Sequence, residues 1–419
     1  MTDVQPVLEE ALDAGVLDDA VPWAIFFDLD ELDDRFARLQ RSFPADALHA
    51  VAVKANPLVA VLQRLVEHGA GLEAASTAEI EIARRANAVA DQIVFDSPAK
   101  TVSDLRAAME AGIHINADNN QELERIDGLQ PPDGASIGLR LNPVVGKGSI
   151  DATAVSGKNS KFGVSLLRNH RALIDAFRRY PWLRGLHVHT GSQGYGLDLL
   201  VEGVRRCVDF ALELDRRFGP GRTDTIDIGG GLPVAYRPHV EPLGIEDYAA
   251  ALRREVPELF ERRWRLITEF GRWLHAPCAF AASRVEYVKD SPGGPIATIH
   301  FGADLLVRTA YRPQDWYHRL TIYDGVAAHR QGDEVDLTVA GPLCFSGDLI
   351  CRRRRLPRPR PGDLVVVHDV GAYTFSMWSR YCSRPFPRII GFREDRHSIE
   401  FVTLHGGESE GEVASFWEH

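Results

Sequence analysis

The chain has 419 residues, a net charge of −11 and 45% hydrophobic residues. That length predicts two domains, and the negative charge argues against a nucleic-acid partner, because nucleic acids bind basic surfaces. The five cysteines are scattered without metal-ligand spacing, so neither a disulfide framework nor a metal site is expected. No signal sequence and no membrane-spanning apolar run is visible, so we expect a cytoplasmic protein without a membrane partner.

The first two thirds of the chain alternate between strand and helix patterns. An acidic amphipathic segment at 1–20 is followed by a predicted strand at 23–27 and a helix at 28–40. Predicted strands then follow at 50–56, 71–76, 92–97, 113–118, 136–142, 183–191, 225–231 and 265–271, separated by amphipathic helices such as 59–68, 77–86 and 201–218. Eight such units predict a (β/α)₈ barrel, with an open doubly wound sheet as the alternative.

The pattern changes after residue 271. A helix is predicted near 274–282, followed by strands at 285–288, 296–301, 335–340, 363–367, 388–392 and 398–404 between Pro and Gly turns. This is typical of a mostly β domain, and the strand at 23–27 has no place among the eight barrel strands. The predicted domains are therefore a barrel at 30–272 and a β domain formed by 1–29 together with 273–419.

One strongly basic run, RRRRLPRPR, occupies residues 352–360 of this acidic chain. A solvated hairpin is the ordinary interpretation of such a run. The functional alternative is a docking surface for an acidic partner such as a carrier protein.

Lys54 interrupts the apolar run AVAVKANP at residues 50–57. Burying a lysine as a cation is costly, so its amine is either held neutral or reaches solvent at the end of the strand. A neutral amine at the carboxyl end of a strand suits a Schiff-base lysine. A lysine that extends its ammonium into solvent is the alternative.

Other polar residues fall at the predicted carboxyl ends of strands, where a (β/α)₈ barrel builds its active site. They are Glu73, Ser76, Arg140, Asn142 and the stretches HVHTGSQ at 187–193, DIGGGLP at 227–233 and EFGR at 269–272. A run of glycines is by itself usually a turn, and a single strand histidine is usually part of the core. Their occurrence together at one rim indicates a binding site.

This set suits a phosphorylated aromatic aldehyde. Gly229, Gly230 and Gly231 offer backbone amides to a phosphate, and Arg272 and Ser192 can add further donors. His189 can stack on a pyridine ring, while Glu269 can keep the ring nitrogen protonated. The predicted cofactor is pyridoxal 5′-phosphate (PLP).

These motifs, with GPLCFSGD at 341–348, resemble the fold-type III PLP enzymes, above all the diaminopimelate and ornithine decarboxylases. The resemblance covers nearly the whole chain in the family's order. It implies a barrel and a β domain, a head-to-tail homodimer and a small amino-acid substrate. By this resemblance Lys54 is the Schiff-base lysine, His189 stacks on the ring, Glu269 holds the pyridine nitrogen, and the phosphate is bound by Ser192, Gly229, Gly230, Gly231, Gly271, Arg272 and Tyr373.

The resemblance also places Cys344 in the neighbouring subunit's site as a proton donor. The alternative is that Cys344 is an ordinary buried cysteine. The next residue is an acid in these decarboxylases, where it recognises the distal amino group of the substrate, but it is Phe345 here. Cys382 replaces a usual asparagine. Either Arg308 or Arg312 is expected to contact the substrate, and Phe345 and Tyr373 are further candidate substrate-binding residues.

Diaminopimelate, lysine and ornithine are therefore doubtful substrates. The leading hypothesis is a PLP-dependent decarboxylase of another amino acid, free or tethered to a carrier. A PLP-dependent epimerase or racemase that uses Lys54 and Cys344 is the alternative, and a non-catalytic homologue is a third.

Overall fold

The computed structural model describes residues 3–146, 148–150, 153, 155–241, 243–395 and 398–418. These residues divide into two compact units. The barrel unit contains Asp34–Val234 and Pro242–Leu274, and the β unit contains Met1–Asp33, Ala235–Glu241 and His275–His419.

Within the described residues, eight parallel strands form a closed barrel. They are Leu48–Ala52, Gly71–Ala74, Ile93–Asp96, His114–Ala117, Ile137–Asn142, Gly185–Val188, Thr225–Asp227 and Arg265–Thr268. The last strand pairs with the first, with Ile267 opposite Leu48. The strands are buried along nearly their whole length, as parallel strands with both faces covered must be. The predicted fold class, a (β/α)₈ barrel with a separate mostly β part, is confirmed.

Helices alternate with these strands. Their bounds are Leu29–Ser42, Val59–Glu67, Thr77–Arg85, Val102–Glu110, Asn120–Gly128, His170–Arg179, Leu197–Phe218 and Ile245–Glu255. Several begin at a side-chain cap directly after a strand: Ser76 accepts the N–H of Glu79 at 3.1 Å, and Asn119 accepts that of Glu122 at 3.0 Å. Such caps begin the helix within a few residues of the strand end. The connecting loops are therefore short, and the polar residues at the strand ends lie near one another at one rim.

The β unit contains nine strands among the residues that the structure describes. They are Trp23–Asp28, Ala279–Lys289, Ile296–Ile299, Leu320–Tyr323, Glu334–Ala340, Leu349–Pro357, Leu364–His368, Arg388–Asp395 and Ser398–Gly406. Trp23–Asp28 lies between Ala279–Lys289, which is antiparallel to it, and Arg388–Asp395, which is parallel. The unit also contains the helices Val4–Asp13, Val307–Tyr311 and Glu410–Phe416. Apolar residues of the helix Val4–Asp13 share a core with Phe26 and Phe280.

The predicted helix at 274–282 is wrong. The chain forms a short helix at Arg272–His275 and a 3₁₀ turn at Ala276–Cys278, and then enters the strand Ala279–Lys289. Pro277 lies in that turn and has no N–H with which to continue the helix. Phe280 is paired with Phe26 on one side and His368 on the other. Non-local strand pairing therefore overrides the local preference of the alanines for a helix.

Two strands of the β unit, Leu320–Tyr323 and Leu349–Pro357, were not predicted. The second contains most of the basic run and pairs antiparallel with Glu334–Ala340. Arg353 and Arg355 lie on it with side chains 68% and 63% exposed. No described helix in either unit is long and apolar enough to cross a membrane.

Candidate active site

Lys54 lies just beyond the first barrel strand rather than within it. The strand ends at Ala52, and the next three residues form a 3₁₀ turn that the N–H of Asn56 closes by donating to the Val53 carbonyl at 3.0 Å. The Lys54 side chain is 39% exposed, and its amine forms an ion pair with Glu73. The amine therefore reaches the accessible rim with a carboxylate partner on the neighbouring strand.

Glu73 is fully buried beside that amine. Burial raises the pKa of the Glu73 carboxyl to about 8, although the Lys54 charge acts in the opposite direction. Among the described residues, its Oε1 atom has no hydrogen-bond partner. The Glu73 carboxyl therefore titrates close to neutral pH beside the Lys54 amine.

Glu269 differs from Glu73 because cationic and polar side chains surround it. Burial alone would raise the Glu269 pKa, but His187, His189 and Lys54 hold it well below its usual value. Its Oε2 lies 3.6 Å from Nε2 of His187 and 3.7 Å from Nδ1 of His189. Glu269 is therefore an anion at neutral pH. Its buried Oε1 has no hydrogen-bond partner within the described ranges.

A buried charge network surrounds this anion. Burial opposes the protonation of His187, but Asp96, Glu269 and Asp227 together raise its pKa to about 9. Asp96 also pairs with Arg140 at 3.0 Å. The ligand atoms of His187, His189 and Glu269 lie within 4.8 Å of one another. Such spacing suits either a metal ion or the polar groups of an organic cofactor.

The glycine run at 229–231 follows the strand Thr225–Asp227, and its backbone geometry favours glycine at each position. Gly229 and Gly231 have φ values of 65° and 100°, which are left-handed. A Cβ atom on Gly230 would lie 2.3 Å from the carbonyl oxygen of Glu269. The backbone is therefore open to a close ligand, and Gly230 N–H already donates to Nδ1 of His189 at 3.3 Å.

The structure adds two polar residues that sequence reasoning missed, Asp96 and Asn116. Both lie at or near the carboxyl ends of barrel strands, which is the signal that could have revealed them. Asn116 donates to Asp227 at 2.9 Å, and Asp227 in turn accepts the N–H of Gly229 at 2.9 Å. Burial raises the Asp227 pKa to about 8. This chain of contacts supports the start of the glycine turn.

The remaining predicted barrel residues lie on two loops. Ser192 is half-buried after the strand Gly185–Val188, whereas Gly271 and Arg272 are buried after Arg265–Thr268. Arg272 begins the short helix that follows.

In the β unit, Cys344 and Phe345 lie on the loop 341–348. Phe345 stacks on Tyr311, with ring centroids 5.6 Å apart, and meets Tyr381 edge-on at 6.0 Å. Cys344 is exposed, so it is not a buried hydrophobic cysteine. A hydrogen bond with Cys382 raises the pKa of the Cys344 thiol, which keeps the thiol protonated at neutral pH.

The two candidate arginines of the β unit differ in their contacts. The guanidinium of Arg308 lies 4.7 Å from the ring centroid of Trp316 and 5.0 Å from that of Tyr373. Arg312 instead forms an ion pair with Asp315 at 2.6 Å. The structure thus groups Arg308, but not Arg312, with the predicted cofactor ligand Tyr373.

A (β/α)₈ barrel with a rim lysine and a glycine turn, followed by a mostly β unit, defines a fold-type III PLP enzyme. Residues 29–276 match the pyridoxal-binding domain of the pyridoxal-dependent decarboxylases. The chain belongs to this decarboxylase family, whose members are carboxy-lyases that use PLP.

Two related decarboxylases align with most of the chain. It is 32% identical to a diaminopimelate decarboxylase of Methanothermobacter thermautotrophicus over 87% of this chain and 85% of the relative. It is 30% identical to the L-glutamyl-[BtrI acyl-carrier protein] decarboxylase of Niallia circulans over 84% and 83%. The fold matches diaminopimelate decarboxylase from Helicobacter pylori complexed with L-lysine, with a TM-score of 0.82, 24% identity and coverage of 94% and 96%.

The residues at the barrel rim fit PLP. Glu269 offers a buried anionic oxygen without a hydrogen-bond partner in the described chain. The glycine turn leaves room where a Cβ atom would collide, and the Lys54 amine is accessible. When bound, PLP supplies an electron sink for the charge that develops on the α-carbon.

Proposed function

We propose that this decarboxylase removes the α-carboxylate of an amino acid whose side chain has no free terminal ammonium. The observation that carries this proposal is Phe345, packed between Tyr311 and Tyr381 beside Cys344. An ammonium placed against these rings loses water without gaining a carboxylate partner. A hydrogen bond to a charged group contributes about 1.5–3 kcal/mol, so diaminopimelate, lysine and ornithine become poor substrates, even though cation–π attraction returns part of the loss.

Each predicted site residue has a separate role in this proposal. Lys54 holds PLP through its amine, and Glu269, anionic at neutral pH, keeps the pyridine nitrogen protonated. His189 would lie against the ring. The phosphate would be bound by Ser192, Gly229, Gly230, Gly231, Gly271, Arg272 and Tyr373. Arg308, held between two aromatic rings, contacts the substrate in preference to Arg312, which is paired with Asp315.

Cys344 completes the reaction by giving a proton to the α-carbon. A thiol whose pKa is raised remains protonated at neutral pH, as a proton donor must. Cys344 acts in the site of the second subunit of a homodimer.

A panel of amino acids tests the substrate class through the release of carbon dioxide and the masses of the products. The native protein should turn over lysine, ornithine and diaminopimelate poorly. Phe345→Glu should improve at least one of them relative to the native substrate, whereas Phe345→Leu, which adds no charge, should not. Native turnover of diaminopimelate with kcat/KM near ~10⁴ M⁻¹s⁻¹, the low end for ordinary enzymes, would contradict the proposal. An inverted α-carbon without carbon dioxide would instead favour the epimerase.

We propose further that the substrate is delivered on an acidic carrier protein, which would bind at the strand Leu349–Pro357 and the rest of the basic run. Six arginines lie at 352–360. Among the described residues, Arg353 and Arg355 form exposed ion pairs with Asp336 at 3.4 Å and Glu334 at 3.7 Å, and such pairs add little stability. Their charges therefore remain accessible to an acidic partner.

The test compares carrier protein loaded with glutamate through its side-chain carboxyl, so that the α-carboxylate stays free, with the same γ-glutamyl group on pantetheine. Changing both Arg353 and Arg355 to Glu should raise KM for the carrier-bound form alone, and the exposed Arg85→Glu in the barrel unit is the control. Equal effects on both substrates would rule out docking at this strand.

A further inference from the structure

We propose that Cys344 and Cys382 form a site of reversible oxidation, at which a peroxide joins their two sulfurs as a disulfide and a thiol reductant separates them. The modification requires only the two thiols. Its effect on catalysis rests on the proposed function, in which Cys344 supplies a proton.

The two cysteines come from separate loops and meet at the surface of the β unit. The backbone N–H of Cys344 donates to Sγ of Cys382 at 3.5 Å, and the Cys382 side chain is the neighbour that raises the pKa of the Cys344 thiol. Both residues are exposed. The other three cysteines, Cys207, Cys278 and Cys351, are buried. Cys344 and Cys382 are thus the thiols of this chain that a small solvent-borne oxidant reaches first.

Contacts on both sides hold the two loops in place. On the first loop, the Asp348 carboxylate accepts the N–H of Leu343 at 2.7 Å. Next to Cys382, Arg380 forms a bidentate pair with Glu408, with contacts of 2.7 and 3.1 Å. Since neither loop has to be ordered anew, the sulfurs meet at a high effective concentration.

A further contact joins the two loops directly. The Tyr381 hydroxyl donates to the carbonyl of Cys344 at 3.4 Å. Cys382 itself has a left-handed backbone with φ of 61°, which turns the chain at this point. The approach of the sulfurs is therefore part of the local fold.

The hydrogen bonds give the two sulfurs different roles. The Cys382 sulfur accepts the amide N–H of Cys344, which holds it next to that residue. The Cys344 thiol has a raised pKa because of its bond with Cys382 and retains its proton. Cys382 is therefore the sulfur that reacts first, and Cys344 is the one that resolves the product.

The chemistry balances with hydrogen peroxide as the oxidant. The Cys382 thiolate attacks one peroxide oxygen, the O–O bond breaks, and a sulfenic acid and hydroxide result. The Cys344 sulfur then attacks the oxidised sulfur, the S–O bond breaks, and the oxygen leaves as water with the proton of the thiol. Two thiols lose two electrons, the peroxide gains them, and two waters form. A dithiol such as dithiothreitol reverses the change by exchange.

Oxidation removes the proton that Cys344 is proposed to donate. An active site that admits an amino acid also admits hydrogen peroxide, so placing Cys344 at the site of a second subunit does not protect it. The oxidised protein should therefore keep its fold and its cofactor while it loses carbon dioxide release.

The test uses the purified holoenzyme treated with a small excess of hydrogen peroxide. Digestion without reductant should give a peptide that links Cys344 to Cys382, and the intact mass should fall by the two hydrogens. Two titratable thiols should be lost and should return after dithiothreitol. Cys382→Ser should abolish the linked peptide, whereas Cys278→Ala, a change at a buried cysteine, should leave it in place.

Several outcomes would overturn the proposal. Sulfinic acid at either cysteine without a linked peptide would do so, and so would a disulfide between two chains that appears as a dimer on a non-reducing gel. The linked peptide is read from the native protein, so the result does not depend on whether a variant folds. If the link forms but carbon dioxide release is unchanged, the oxidation site stands and the proton-donor role of Cys344 fails.

Discussion

At the scale of single residues, the environment of Lys54 depends on its ion pair with Glu73 as much as on its sequence motif. The position of Lys54 near the carboxyl end of the first strand followed from the sequence, but Glu73 could be assigned no role from sequence alone. The pairing depends on neighbouring parallel strands whose register brings Ala52 opposite Glu73. Asp96 and Asn116 were missed for the same reason, because contacts between residues distant in the chain exist only once the barrel closes.

Lys54 should be the residue that holds PLP. Its amine is accessible, whereas Lys100 is fully buried and paired with Glu122 at 2.7 Å. Borohydride treatment followed by peptide mapping should place the reduced cofactor on Lys54 and leave Lys100 unmodified. Cofactor mapped to any other lysine would disprove the assignment.

Glu269 should control catalysis more than cofactor binding. Glu269→Ala removes the anion that holds the ring nitrogen protonated, so kcat should fall by about 10²–10³, the range for loss of one preorganised electrostatic group. Absorbance titration should show PLP still bound, and Glu269→Asp should recover part of the rate. Wild-type turnover in Glu269→Ala would assign the role to another residue.

At the scale of elements, the sequence predicted those that local patterns determine. Strand and helix alternation located all eight barrel strands, although most carboxyl ends were predicted a few residues too long and the first strand was predicted to begin two residues late. The helix at 274–282 failed because the pairing of Ala279–Lys289 with Trp23–Asp28 joins segments more than 250 residues apart. Leu349–Pro357 was missed because consecutive arginines obscure the alternation that marks a half-buried strand.

The turn at Gly229–Gly231 should tolerate no side chain. Gly230→Ala places a Cβ atom against the Glu269 carbonyl, and overpacking of this kind costs about 1–3 kcal/mol. PLP affinity, measured by equilibrium titration, should fall by about tenfold or more. Gly128→Ala is the matched control, because a Cβ atom there has no neighbour within 4 Å among the described residues. Equal affinity in both variants would show that the turn does not bind the cofactor.

At the scale of the whole molecule, the fold class followed from counting βαβ units, since a (β/α)₈ barrel requires eight strand–helix units in succession. The division into two units has a similar origin, because the helical spacing fades after residue 271. The sequence could not show which residues of the β unit gather around Cys344. Tyr311, Phe345 and Tyr381 come from three separate loops and helices, and only the folded sheet brings their rings together.

The proposed homodimer predicts that two inactive variants can complement each other. Lys54→Ala removes the cofactor attachment from the barrel unit, and Cys344→Ala removes the proton donor from the β unit. If Cys344 acts in the site of the second subunit, a heterodimer of the two variants has one intact site and one that lacks both groups. Random exchange of an equal mixture gives half heterodimers, so roughly a quarter of the wild-type sites should return.

Carbon dioxide release after mixing measures this recovery, and native mass spectrometry verifies that the subunits have exchanged. A protein that carries both Lys54→Ala and Cys344→Ala, mixed with wild type, is the control. In that heterodimer each site lacks one group. After exchange, activity should therefore fall to about half of its value in the same mixture before exchange. If each chain instead builds its own site, the variants will not complement each other and the control will keep its activity, because the wild-type subunit then retains both groups.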